Sequence, residues 1–589
     1  MLRSYRGSYQ DAVDLTLAER LDYLTSDVLK EYVSFLGGKS SITRKADRIA
    51  FICGVLLDPG SLSIFWNQMD SVSQRAVSTA YHNGGSFNQN AFVAQYGALP
   101  ERPDIGRRLD YWNFYLSPML FDLLLIDGAI PPDVMPLLGD LVLHEDRYRL
   151  EGVADDPIWI QDPEGNQFPI TIIETETGGR INLLTYLRMV EQGQLSFASS
   201  SRRLTAGSIK KVYGQLVDGD FVEAPEKMTG NFVVRPFALD VFTQSSGFMT
   251  SHRNLSKEGK AFLETQDIEM FEDAFQQWVE KGSFDELSRI DEIKGLRSKK
   301  TRLTVPSSRR EKIIEALSWC PAGEWIHIQE LFRAMIIWDF DIELETTPDY
   351  NLSIKEFYWE MSTQEYHVYI KFPYVVIILI EYLATLGLID VAITHYSPYG
   401  GDNITFENPT EVYENLCHFR INAFGAYVFG QADEYLPHSA STGAKFSIDG
   451  DLCLTLSANA LPGDKLFVET LSEPLEENRY KLNTIHLLDA IHSGQAFASI
   501  RSFLLNGIEG QAPAELLVWL DTLEANLKAV KPKQKATIYT VNKAVAALME
   551  TDQVLRSLGD LLTANTVLIT SGKDNKFRKR LKELGYLVG

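Results

Sequence analysis

Apolar residues in this chain recur mostly at helical spacing, and the runs break at glycine, proline or short Ser/Thr/Asp clusters. In LTLAERLDYL, Leu15, Leu17, Leu21 and Leu24 are spaced for a helix, and Thr25-Ser26-Asp27 caps the next one. That helix, VLKEYVSFLG, stops at Gly37-Gly38, where a helix end needs positive φ, and RKADRIAFICGVLL sets Ile49, Ile52 and Leu56 on one face. From 61 to 150 the pattern stays helical: 62–69, 72–81, a turn at His82-Asn83-Gly84-Gly85, then FNQNAFVAQYG, the spacing of a helix-turn-helix. The apolar segment YWNFYLSPMLFDLLLIDGAI follows and ends at Pro131-Pro132, its aromatics reading as core.

Between 151 and 180 the period changes. DPIWIQD and QFPITIIETET read as short strands. INLLTYLRMVEQG, the short QLSFAS and LTAGSIKKVYGQLVDGDFV then give helix, helix and extended segment, an order that predicts a winged helix in which Thr205 caps a helix exposing Lys210 and Lys211. NFVVRPFALDVFTQSSGFM is rich in β-branched and aromatic residues and reads as strand. The clearest winged-helix pattern spans 309–430: RREKIIEALSWC, WIHIQELFRAMIIW and YVVIILIEYLATLGL as three helices, then IDVAITHYSPYGGDNITF as strand, Gly-Gly turn and strand. An apolar residue, a small polar one and a glycine recur in that order at Leu255-Ser256-Lys257-Glu258-Gly259 and Ile421-Asn422-Ala423-Phe424-Gly425, more loosely at Leu204-Thr205-Ala206-Gly207, which points to related modules.

Charge sharpens the picture. Over 589 residues, 56 Lys and Arg face 79 Asp and Glu, a net charge of −23, which argues against a generally sticky nucleic-acid binder but leaves room for local basic faces. The most basic window, KGLRSKKTRLTVPSSRREK at 294–312, carries Lys294, Arg297, Lys299, Lys300, Arg302, Arg309, Arg310 and Lys312 against Glu311 alone. It reads as a phosphate-contacting linker or as a solvated connection. A second basic cluster closes the chain: Lys573, Lys576, Arg578, Lys579, Arg580 and Lys582 on a helix whose apolar face is Phe577, Leu581 and Leu584.

Two segments resemble known families. LKEYVSFLGGKSSITRKADRIAFI is similar to a SAP-type helix–extended–helix DNA-binding unit, which implies phosphate-facing roles for Lys39, Arg44, Lys45 and Arg48. Residues 446–523 run from strand FSIDGDLCLTL through a helix around LFVETLSEPLEE, the return strand at Tyr480-Lys481-Leu482 and a helix holding Ala490 and Gly494. They close on a helix opened by Pro513 with Leu516 and Leu520. With Glu473, this ordered set resembles the N-terminal accessory domain of the DNA-repair helicase XPB and of bacterial helicase-associated proteins. The resemblance implies an accessory module near DNA and a helicase, with no catalytic residue. XPB itself carries an ATPase core after this domain and this chain ends at Gly589, so a motor is expected on another polypeptide.

The expected fold class is mainly α with α+β modules. A SAP-like helical domain (1–60) and a helix-turn-helix-like domain (61–150) precede a winged-helix-like domain (151–293), a basic linker (294–308), a winged-helix domain (309–435) and an XPB N-terminal-like α/β domain (436–589). The four cysteines, Cys53, Cys320, Cys417 and Cys453, form no C-x-x-C pair and read as buried thiols in a reducing compartment. The N-terminus has no apolar signal core, and the greasiest run, 374–380, is stopped by Glu381, so a cytoplasmic location without a membrane is expected.

Motifs for chemistry are broken where they occur. Gly37-Gly38-Lys39-Ser40 ends like a phosphate loop, but Val33 stands where its first glycine belongs. Asp218/Asp220, Asp339/Asp341 and Asp449/Asp451 read as turns, and no histidine cluster has zinc spacing. Glu292-Ile293-Lys294 contains the E-x-K fragment of some nucleases without an identifiable partner aspartate. The expectation is a non-enzymatic adaptor without cofactor or metal, whose partners are duplex DNA and a separate helicase, ATPase or nuclease. Its DNA contacts would be Lys39, Arg44, Lys45, Arg48, Lys210, Lys211, Lys299, Lys300, Arg302, Arg309, Arg310 and Lys579. A protein–protein scaffold or transcription-related winged-helix protein that never touches DNA is the alternative.

Overall fold

The computed structural model describes residues 14–101, 119–161, 165–223, 225–298, 300–340, 342–346, 351–355, 366–397, 401–402, 409–435, 444–458, 460, 462–492, 495–508, 510–532, 538–570 and 572–588. About half of the chain is helical and 14% is strand, the strands being parcelled into small sheets, so the class is mixed α with α/β modules. The first part of YWNFYLSPMLFDLLLIDGAI lies outside the described residues; its second part supplies buried core from Met119 to Ile126.

The chain divides into two compact units, Met1–Glu151 with His327–Ile342, and Gly152–Ile326 with Glu343–Gly589. Among its described residues the first is built of helices, including α1 (Leu17–Asp22), α2 (Ser26–Phe35), α3 (Lys45–Leu56), α4 (Pro59–Trp66), α5 (Ser71–His82) and α6 (Gln89–Tyr96). Side-chain caps start most of them, including a capping box at Thr16 and Glu19, Asp58 before Pro59, and Asp70 and Asn88. Their apolar faces share one core from Leu17 to Leu138. The helix Ile328–Ile337, expected within the 309–435 module, packs instead on α6, where Arg333 Nε donates to the Ala94 carbonyl at 2.6 Å.

His327 caps that helix, its Nδ1 accepting from the Gln329 amide at 3.2 Å. Burial first of all holds the His327 pKa below its usual 6.5. A folded-state pKa below the unfolded one means stabilisation is complete above about pH 6.5 and is lost as pH falls, because protonation removes the accepting lone pair. Protection factors of the amides in 328–331, exchange rates corrected for their intrinsic pH dependence, are therefore expected to drop between pH 7.5 and pH 5.5, and His327→Asn, which keeps an acceptor, should abolish that drop.

In the second unit an antiparallel sheet takes strands from regions expected to be separate modules. Its order is β1 (Trp159–Gln161), β2 (Gln167–Ile173), β4 (Ile389–Thr394), β5 (Leu416–Ile421) and β3 (Trp325–His327). Ile170 pairs with Thr394 and Ile173 with Val391, so the 294–308 boundary does not separate two cores. Ile389–Thr394, expected as the first strand of a wing, is buried along its whole length at the centre of this sheet, and a two-residue hairpin at 396–402 is what remains of the wing. NFVVRPFALDVF is another correction. Arg235–Ser245 is a helix, because Pro236 sits at its first turn and Asp220 accepts from the amides of Val234 and Arg235, holding the helix start.

The apolar helix His367–Ala384 runs straight through Glu381, with π-helical turns at both ends. It is the one helix among the described residues long and apolar enough to cross a bilayer, and most of it is buried inside the protein. Glu381 stays in this interior because Arg289 Nε donates to it at 2.5 Å and the Tyr413 hydroxyl donates to the same oxygen. Cys320, Cys417 and Cys453 are buried and all four thiols are free, with burial pushing the Cys320 thiol up to about 12.

The recurring apolar–polar–glycine segment is a real capping device. Thr205 accepts from Ser208 N, Ser256 from Gly259 N and Asn422 from Gly425 N, each opening a helix. A Cβ at Gly425 would fall 1.9 Å from the Leu388 carbonyl oxygen, so backbone meets backbone there. Gly425→Ala is expected to cost about 2–3 kcal/mol by overpacking, read as a shifted urea midpoint with unchanged slope.

The C-terminal region folds twice into the same pattern. β6 (Phe446–Ile448), β7 (Cys453–Leu456), a helix Pro462–Leu471, β8 (Ser472–Glu476) and β9 (Arg479–Leu482) make a sheet of order β6-β7-β9-β8. β10 (Val530–Pro532), β11 (Ile538–Val541), helices Lys543–Thr551 and Gln553–Leu558, β12 (Gly559–Thr563) and β13 (Thr566–Ile569) repeat that order, and each sheet has its own apolar core. The spacing from Leu471 to Asn478 and Leu482 recurs from Leu558 to Asn565 and Ile569. Each edge hairpin carries a bulge at the same place, setting Leu475 and Leu562 half in solvent. A bulge and the flanking Glu473, Pro474 and Asp560 discourage stray pairing at an open edge. Helix Thr484–His492, opened at the expected threonine, follows the first copy, and the basic helix Asp574–Glu583 follows the second.

Candidate nucleic-acid interface

The basic window is no free linker. Ile293 pairs with Ile354 and Lys294 with Ser353, Leu303 bridges to Glu345, and the Thr346 amide donates to the Arg302 carbonyl at 2.8 Å. Buried Glu345 holds the returning strand by accepting from the amides of Asn351 and Leu352 and from the Tyr366 hydroxyl at 3.0–3.2 Å. The fold thus ties 293–304 against 343–355 and leaves Lys294, Arg297, Lys300, Arg302 and Lys355 exposed on one small β-arch. Lys294 spends its ammonium on the Lys355 carbonyl at 2.8 Å. Lys299 lies outside the described residues.

Arg309 and Arg310 leave this surface, a correction to their expected phosphate contacts. They open the helix Pro306–Ser318 and point inward. Arg309 forms a two-pronged pair with Asp285 at 2.8 Å and donates to the Thr304 carbonyl at 2.7 Å, with the Tyr374 ring 5.0 Å below. Burial pulls its pKa down and the Asp285 hydrogen bonds overcome this, so it stays charged. Arg310 is fully buried, bonded to Glu286 and to the carbonyls of Trp278, Gly282 and Phe284. A guanidinium so committed has no donor left for a phosphate.

In the first unit, Lys39 and Arg44 are exposed, Arg44 preceding α3 without capping it by side chain. Lys45 is half-buried and its ammonium bridges the Asp22 carboxylate at 3.2 Å. Arg48 is buried, donating to the Ile42 carbonyl and to the carbonyl and hydroxyl of Ser26. That bonding removes Arg48 from the phosphate-facing set and makes it a staple between α2 and α3.

Lys210 is exposed, and Lys211 reaches the Gln194 carbonyl at 3.0 Å. On the terminal helix Lys579 is exposed, whereas Arg578 pairs with Asp574, Arg580 with Asp552 and Glu583, and Lys582 with Asp489. The structure therefore leaves Arg297, Lys300 and Arg302 exposed within one folded segment and Lys210 and Lys579 on other elements of the same unit. Asp449 of the Asp-x-Asp segments accepts from the amides of Asp451 and Cys453, as a turn residue does.

No protein-family model matches this chain, and comparison with curated proteins gives no match.

Proposed function

We propose that this chain is a non-catalytic DNA-binding adaptor that works in the cytoplasm beside a separate helicase, ATPase or nuclease, in bacterial DNA repair or anti-phage defence. The observation that carries the reading is the folded arch presenting Arg297, Lys300 and Arg302 to solvent in a chain of net charge −23. A carboxylate excess elsewhere repels a duplex, so a local cationic arch decides where a phosphate backbone lands. The XPB-like resemblance of 446–523 supports the setting, and the SAP-like segment supports a second contact through Lys39 and Arg44. The test is binding of a labelled duplex by the full chain at about 50 and 200 mM salt. Affinity should fall steeply with salt and vary little with sequence. Absence of binding at the lower salt overturns the reading in favour of a protein scaffold, which the acid excess fits.

A further inference from the structure

Two turns far apart in sequence share one construction. After the helix Glu176–Glu191 the chain closes a loop between Phe197 and Leu204, and after Arg235–Ser245 it closes another between Met249 and Leu255. In the first, Ala198 N donates to the Arg203 carbonyl at 2.8 Å; in the second, Thr250 N donates to the Asn254 carbonyl at 2.8 Å. Each ends in a leucine and a capping hydroxyl residue, and each places an arginine two positions before that leucine. These arginines, Arg202 and Arg253, both sit in the left-handed region, at φ 57° and 64°. An L-residue other than glycine or asparagine is held there only when its surroundings insist.

The first turn is tied to one buried carboxylate, since Gln244 Nε2 donates both to Asp240 and to the Arg202 carbonyl, and Arg253 of the second turn lies within its field. Asp240 is 1% exposed and accepts from the Tyr186 hydroxyl at 3.0 Å, from Gln244 Nε2 at 2.5 Å and from Leu204 N at 3.4 Å. Arg203 Nη1 lies 3.8 Å from the same carboxylate, and its guanidinium sits 5.1 Å from the Phe284 ring centre. Arg253 stands in the field of Asp240, Arg202 and Arg203, where burial first, and then the two neighbouring arginines, hold its pKa down against Asp240. Arg203 Nη1 and Arg253 Nε are buried atoms without a hydrogen-bond partner among the described residues.

Arg203 thus leans on a carboxylate already committed to three donors, at a distance too long for a hydrogen bond, and the buried Nη1 of Arg203 and Nε of Arg253 lack hydrogen-bond partners among the described residues. Buried donors without partners are rare because each forfeits its water, and a cluster of like charges compounds the cost. A polyvalent oxyanion resolves both, since its oxygens accept from several guanidinium edges and its charge balances the excess. We propose that Arg202, Arg203 and Arg253 form a phosphate-binding site. On the DNA-binding reading above, on which this assignment of the source rests, the group is a backbone phosphodiester; a free phosphate is the other source.

The experiment uses the full chain as wild type, as Arg202→Asn/Arg253→Asn, which tolerates both left-handed turns, and as Arg202→Glu, which alters an exposed side chain only. Duplex binding is measured by anisotropy, and thermal unfolding with inorganic phosphate or chloride at equal ionic strength. Both variants should bind duplex about tenfold more weakly, and the double variant should lose about two units of salt slope. Phosphate should raise the wild-type Tm and leave the double variant unmoved. If only the duplex effect is seen, the source is nucleic acid. Arginine-dependent stabilisation by phosphate without duplex binding assigns the site to a free phosphate and removes the DNA reading. Equal duplex affinity and equal phosphate response across all three proteins overturns the site and leaves the DNA reading standing; wild type responding to neither ligand overturns both.

Discussion

Arg310→Ala should cost the second unit about 3–5 kcal/mol, the loss expected when one partner of a buried ion pair is removed. Glu286 is fully buried and keeps the Tyr374 hydroxyl at 3.0 Å and its own backbone amide once the guanidinium is gone. Burial already pushes the Glu286 carboxyl up against the pull of Arg310, so without that cation it should rise further and the group should fold protonated. A folded-state pKa above the unfolded one gives stability that is present at low pH and lost as pH climbs through the folded value. The variant should therefore lose less at pH 5 than at pH 8, by urea unfolding followed through tryptophan fluorescence. Replacing both partners with Met and Leu should restore little, unlike a simple ion pair, because Arg310 also serves the carbonyls of Trp278, Gly282 and Phe284. Equal stability of the single and parent proteins at both pH values would show that Arg310 is not built into the core.

This central role could not be read from the charge of the window that contains Arg310. A run of Lys and Arg in sequence says how many cations there are, not which find a carboxylate far along the chain. Asp285 and Glu286 precede the pair by 24 residues, across a short 3-10 turn and a two-residue strand, and nothing local links them. Local signals fared better because their physics is local. Thr205 starts a helix where expected and Gly37 follows the end of another at positive φ as expected, and the C-terminal strand and helix order follows its hydrophobic period. The failures lie where tertiary context decides. Ile389–Thr394 was legible as a strand but its partners were not, since a run apolar at all but Asp390 and Thr394 fits a buried central strand as well as a wing. Val233-Val234 and the aromatics after them favour a strand by composition, yet Asp220 and Pro236 make the segment a helix.

The arginine cluster was missed for a related reason. Arg202, Arg203 and Arg253 are too dispersed to register as a basic run. A signal did exist: in both turns an arginine precedes the Leu–Thr or Leu–Ser cap at the same distance, so the echo seen from Leu204 and Leu255 onward extends backwards. The tandem C-terminal repeat was likewise written in the matched spacing of Leu471, Asn478 and Leu482 with Leu558, Asn565 and Ile569, although identity between the copies is too low to draw the eye.

Reversing the charge at Arg297, Lys300 and Arg302 together should weaken duplex binding by about two orders of magnitude near 0.1 M salt and flatten the salt dependence by nearly three units. Each reversal removes one counterion-releasing contact and adds a repulsion, whereas base sequence is not read through these side chains, so the loss should be uniform across duplexes. All three are exposed, and backbone bonds from 293–294, 302 and 304 rather than these side chains hold the arch to its returning strand, so the triple variant should unfold at the parental denaturant midpoint. That separation of binding from stability is the opposite of what Arg310→Ala should show. Reversal at Lys39 and Arg44 tests the helical unit in the same assay. A triple variant that binds as tightly as its parent, while the Lys39 and Arg44 variant does not, would move the DNA contact from the arch to the first unit.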